Sequence, residues 1–147
     1  MTFTPRCSRS IENAKASLAR FNHTHVTSAH LVLGLLELGN GCAVTVLGNF
    51  GVSLEGVENY LSTRRISPDD TPAQDGSPVH KSAQVAFQRA VAQAAKLGHT
   101  YVGTEDLLLA ILVGDAGGAA NLFASLHVDR KASGFEVFRQ IAPKELQ

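Results

Sequence analysis

One pattern occurs twice in this chain, displaced by 76 residues, so that His23 stands against His99 and Thr24 against Thr100. No gap is needed from Phe3 to Leu54. Identical pairs include Ala14/Ala90, Ala19/Ala95, Val26/Val102, Leu31/Leu107, Leu33/Leu109, Leu36/Leu112 and Val52/Val128. Substituted positions keep their character, as in Ile11/Phe87, Arg20/Lys96 and Leu47/Phe123. A duplication of this extent constrains the architecture before any local element is assigned. Each copy, at roughly 70 residues, would be marginal alone, so the two are expected to share one core. Every surface feature also exists in two versions, and the differences between them are informative.

The local signals are helical throughout. Thr4 followed by Pro5 reads as an N-cap and a first helical residue. Cys7, Ile11, Ala14, Leu18 and Phe21 then trace one helical stripe, repeated as Ala83, Phe87, Ala90, Ala94 and Leu97. Thr27 is placed to cap a second helix over Ser28 to Leu38, ended by Gly39-Asn40-Gly41. Its copy starts at a Thr104 cap and runs through Glu105 to Val113. Leu107 to Val113 is apolar on every face, the mark of a helix buried all round. Third helices are expected at about 43–50 and 119–126, and Ser53 and Asp129 are matched caps for fourth helices. No stretch alternates long enough for a strand. The segment Ile66 to Pro78 (ISPDDTPAQDGSP) reads as a linker. The expected fold is all-α: two pseudo-symmetric four-helix repeats, 1–65 and 79–141, eight helices packed as one domain.

Charge and composition narrow the function. The 13 basic and 13 acidic residues cancel. Phosphate-backbone binding needs clustered Lys and Arg, and pairs such as Arg64-Arg65 do not amount to a cluster, so nucleic acid is excluded as a partner. The apolar run Leu107 to Val113 is too short for a bilayer, and no signal peptide is visible, so no membrane association is expected. Cys7 and Cys42 show no CxxC spacing, which favours a reducing, cytoplasmic setting. Cys7 falls on the buried stripe and Cys42 has no evident base nearby, so nucleophilic catalysis lacks a basis. His23, His25 and His30 lack a zinc-ligand spacing; turn packing is the expected role of His23 and His99. No enzyme activity, cofactor or metal is expected.

The helix starts carry the most specific motifs. Phe3-Thr4-Pro5-Arg6, Lys96-Leu97-Gly98-His99-Thr100-Tyr101-Val102-Gly103-Thr104-Glu105-Asp106-Leu107-Leu108-Leu109-Ala110-Ile111-Leu112 and Gly51-Val52-Ser53-Leu54 together resemble the Clp N-terminal domain, the twice-repeated module fronting ClpA- and ClpC-type unfoldases. The similarity covers about residues 3–140. No GxxxxGK[ST] phosphate loop is present, so the chain reads as a free-standing N-domain. The resemblance implies a non-catalytic protein-binding module of the Clp system, with a Clp ATPase ring, adaptors or client proteins as partners. A domain without a motor could alternatively sequester phosphoarginine or a peptide-like small ligand.

In ClpC-like members this domain recognises phosphorylated arginine, and the resemblance carries over to Thr4, Arg6, Lys81, Thr104 and Glu105. A helix N-terminus with a hydroxyl and an Arg suits phosphate, while a carboxylate suits the guanidinium. Taken copy by copy, each is half-equipped. The first has Thr4 and Arg6 but Ser28-Ala29-His30 at the second helix. The second has Thr104 and Glu105 but Val79-His80-Lys81-Ser82 at its first helix, where Lys81 would serve as a point charge. Helix capping by Thr104 and dipole complementation by Glu105 explain the same residues without a ligand. Phe3 and Val79 are expected as staples fixing helix entry.

Overall fold

The computed structural model describes residues 2–63, 81–113 and 118–141. Eight helices appear in them: α1 (Pro5–Phe21), α2 (Ser28–Leu36), α3 (Cys42–Asn49), α4 (Leu54–Ser62), α5 (Lys81–Lys96), α6 (Thr104–Val113), α7 (Gly118–Ser125) and α8 (Arg130–Ile141). The all-α expectation holds. The segment read as a linker lies outside the described residues.

Caps set several of the helix starts. The Thr4 hydroxyl accepts the Cys7 N–H at 3.1 Å ahead of α1. Ser53 and Asp129 take the N–H groups of Gly56 and Ala132, each at 3.0 Å, ahead of α4 and α8. These bonds occupy donors that the first helical turn leaves unpaired. The α2 helix stops at Leu36, two residues short of the expected end. Leu38 and Gly39 bond back three residues instead, at 3.1 Å each, and Gly39 supplies the positive φ of 84° needed to leave the helix.

The core is built around the two second helices. All nine residues of α2 are buried, as are Leu107 to Leu112 of α6. Val113 departs from the expectation of complete burial and is 57% exposed. Along α1 the buried residues are Cys7, Ser10, Ala14 and Ser17. The serines fit because each hydroxyl donates to the carbonyl three residues back, at 2.6 and 2.7 Å. Small residues bring α1 and α2 close: a Cβ on Gly34 would collide with the Ser10 carbonyl oxygen.

Two short strands tie the copies together. β1 (Thr2–Phe3) pairs in parallel with β2 (Tyr101–Val102), and the Thr4 N–H extends the pairing to the Val102 carbonyl at 2.9 Å. Two-residue strands are too brief to show an alternating sequence pattern. Phe3 is not a staple on its own helix. Its ring lies edge-on to Phe87 of α5, with centroids 6.0 Å apart, because strand pairing aims it into the other copy.

Candidate functional site

The β1–β2 pairing decides which helix starts meet. α1 leaves β1 after Thr4 and α6 leaves β2 after Gly103, so the first turns of α1 and α6 begin side by side. Thr4 and Arg6 of the first copy are thereby grouped with Thr104 and Glu105 of the second. The reverse grouping occurs at the other pair: the Ser28 N–H, at the start of α2, donates to the Ser82 hydroxyl of α5 at 3.1 Å. The structure collects Thr4, Arg6, Thr104 and Glu105 at one place. The other place has Ser28, buried Ala29 and Ser82. Lys81 opens α5, but its side chain lies outside the described residues.

Each of the four has a definite setting. Thr4 is half-buried and engaged as the α1 cap. Arg6 is exposed; its guanidinium donates to the Asn40 carbonyl at 2.6 Å and to Asn40 Oδ1 at 2.9 Å. This holds Arg6 against the turn that enters α3, within 3.0 Å of where a Cβ on Gly41 would sit. Thr104 is buried, at 7% exposure, so its side chain has little surface to offer a ligand. It is also the first helical residue of α6 rather than the cap. The cap position is Gly103, and its N–H is received by Asp106 Oδ2 at 2.9 Å, so a hydroxyl cap is not required.

Glu105 is half-buried in the first turn of α6. Its carboxylate forms no ion pair with a described residue, Arg6 included. Its field is nevertheless felt in the first copy. Burial pushes the Cys7 thiol up to about 12, and the carboxylates of Asp106 and Glu105 push in the same direction. Burial likewise raises Cys42, with Glu105 and then Glu136 adding to it. Arg6 sits against the turn that enters α3 and makes no ion pair with Glu105.

The histidines settle into packing roles. His23 Nδ1 and His30 Nε2 are 2.8 Å apart, and His30 Nδ1 accepts the Thr27 N–H at 2.9 Å. His99 Nδ1 meets Asp106 Oδ2 at 3.1 Å. No group of three or more His, Cys, Asp or Glu residues is arranged to hold a metal among the described residues. No helix there is long and apolar enough to cross a membrane.

Such a frame, duplicated and knit through paired helix starts, defines a small all-α domain of internally repeated type. The family described as Clp repeat (R) N-terminal domain matches residues 2–126, and the chain belongs to that family. It is 34% identical over 146 residues to a probable ATP-dependent Clp protease ATP-binding subunit of Chlamydia pneumoniae. To the ATP-dependent Clp protease ATP-binding subunit ClpC of Staphylococcus aureus (strain USA300) it is 28% identical over 147 residues. These alignments take 99% and 97% of this chain but 17% of each relative's length. The fold is also that of the N-terminal domain of the chaperone ClpD from Arabidopsis thaliana, with a TM-score of 0.77 at 18% identity over 94% of this chain and 93% of that one. The Hsp104 N-terminal domain from Candida albicans gives 0.72 at 14% identity, covering 94% and 90%.

Proposed function

We propose that this Clp N-terminal domain is a non-catalytic protein-binding module of the Clp unfoldase–protease system, taking up client segments or an adaptor at the paired starts of α1 and α6. The observation that supports this is the crosswise grouping of Arg6 with Glu105. A phosphorylated arginine side chain carries an anion and a planar cation on one group. Arg6 and the start of α1 suit its phosphate, and the carboxylate of Glu105, which pairs with no described residue, suits its guanidinium. The Arg6 side chain is already fixed by Asn40, which lowers the ordering cost of binding. The opposite pair of helix starts has Ala29 for Glu105 and Ser82 for Arg6, so it lacks the carboxylate and offers Lys81 as a point charge in place of the planar fork. One ligand per chain is therefore expected.

The test is affinity capture from a lysate of the source organism with the native domain and with an Arg6→Ala/Glu105→Ala double variant. Recovery of a Clp ATPase or its adaptor, or of clients lost in the variant, supports the reading. Recovery of none of these, with tight binding of a small phosphorylated or peptide-like compound, overturns it in favour of sequestration.

A further inference from the structure

The far end of α6 bears a different surface. At 1.5 Å per residue its ten residues place Val113 about 15 Å from the helix start at Thr104. There an open groove of about 490 Å³ lies between α5, α6 and α8, lined by Gln93, Leu109, Val113, Lys131, Phe135 and Phe138 among others. Phe135 and Val113, at 68% and 57%, are the most exposed large apolar side chains among the described residues. A lone exposed Phe is unremarkable on a soluble domain, but two apolar side chains continuous with a groove mark a contact surface.

The duplicated frame shows what this face looks like without the groove. Counted from the matched positions, Glu37 stands against Val113, and Glu58 and Asn59 stand against Gly134 and Phe135. In the first copy Arg20 bridges Glu58 at 3.1 Å and Glu37 at 3.7 Å, so charged side chains cover that face. The second copy has lost both carboxylates and gained an aromatic ring. Gly134 leaves the floor open: a Cβ there would only reach ordinary contact, 3.8 Å, with Leu109 and Leu112.

Among the described residues that line the groove, the charged ones are both basic. Arg130 and Lys131 line it, and Arg89 reaches the Val113 carbonyl at 3.3 Å. Of the described carboxylates at α8, Asp129 is engaged as its cap and Glu136 is held by Arg139 at 2.8 Å. We propose that this groove docks an acidic amphipathic segment of a partner protein, with its apolar side chains on Val113, Phe135 and Phe138 and its carboxylates toward Lys131. Apolar burial supplies the affinity, and the basic rim selects the charge of the partner.

The test uses two fluorescein-labelled synthetic peptides with Leu at i, i+3, i+4 and i+7, one flanked by Glu and one by Lys, read by anisotropy. The Glu peptide is expected to bind, weakly at high salt, and the Lys peptide to show no saturable binding. Phe135→Ala should weaken the Glu peptide about 10-fold and Lys131→Glu about 5-fold, in line with an aromatic anchor and a rim charge. Both side chains are exposed, and circular dichroism should show both variants folded. An Arg6→Ala/Glu105→Ala variant should bind the Glu peptide as the native domain does, which separates this groove from the α1–α6 site. Equal binding of both peptides, binding of neither, or insensitivity to Phe135→Ala overturns the proposal. So does self-association of the domain abolished by Phe135→Ala, which would make this face a contact between two copies.

Discussion

In the first copy the second helix is entered through a pair of histidines; in the second copy the same corner is a histidine and a carboxylate. Thr27 N–H can only donate, so His30 accepts at Nδ1 and carries its hydrogen on Nε2, which it gives to His23 Nδ1 at 2.8 Å. Asp106 stands at the equivalent position and receives both Gly103 N–H, at 2.9 Å, and His99, at 3.1 Å. The corner needs an acceptor aimed back at the cap residue. It does not need a particular side chain. The choice has distant consequences all the same, because a carboxylate brings charge and a neutral imidazole does not. Asp106 and Glu105 both press on Cys7 of the first copy. The two second helices therefore differ in charge at their starts: Glu105 and Asp106 open α6, whereas the first turn of α2 has no acidic residue.

The largest expected effect comes from the tightest difference in packing. Gly34 lies against the Ser10 carbonyl, whereas its counterpart is Ala110. Gly34→Ala should cost about 3 kcal/mol in denaturant unfolding, since the clash is with backbone. Ala110→Gly should cost about 1 kcal/mol, the usual penalty for Gly within a helix. Similar costs for the two would show that the copies pack alike.

Next comes the corner itself. His30→Ala removes the acceptor of the Thr27 N–H and the contact with His23 and should cost about 2 kcal/mol. His30→Asp imports the arrangement of the second copy and should stay within about 1 kcal/mol of the native protein. Equal losses in the two variants would mean that the corner is not interchangeable. The matched caps should be equivalent as well: Ser53→Ala and Asp129→Ala are each expected to lower stability by about 1 kcal/mol, measured by thermal unfolding.

The effect of Cys7 is confined to alkaline pH. Its thiol moves from an ordinary 9.0 to about 12 in the folded protein. The folded state thus holds this proton more tightly than the unfolded chain does. Its stability contribution is complete below pH 9 and is lost as pH rises toward 12. Cys7→Ala, the residue the second copy has at Ala83, should flatten that alkaline decline in urea unfolding. An unchanged slope would assign the decline to other groups.

Much of this frame was legible in the sequence, because the repeat counts the helices and the Ser53 and Asp129 caps mark where two of them start. Helix ends were less legible: the turn after Leu36 tightens before the glycines that announce it. Buried Ser10 and Ser17 evaded the apolar stripe, since a serine that satisfies its hydroxyl within its own helix packs like a small apolar residue. The four site residues were legible one at a time, but their grouping was not. It depends on β1 and β2, two residues each, and no periodicity reveals a pairing that short. The groove at α8 was hidden for another reason. No sequence pattern shows that Phe135, where the first copy has Asn59, stays exposed beside Val113.

One pair of helix starts, and not two, combines an arginine with a carboxylate: Arg6 and Glu105 against Lys81, Ser82 and Ala29 at the other. Isothermal titration of the native domain with a phosphoarginine-bearing peptide tests it most directly. A single site per chain is expected, lost in Glu105→Ala and in Arg6→Ala. Two sites per chain, or binding unchanged by Glu105→Ala, would contradict it.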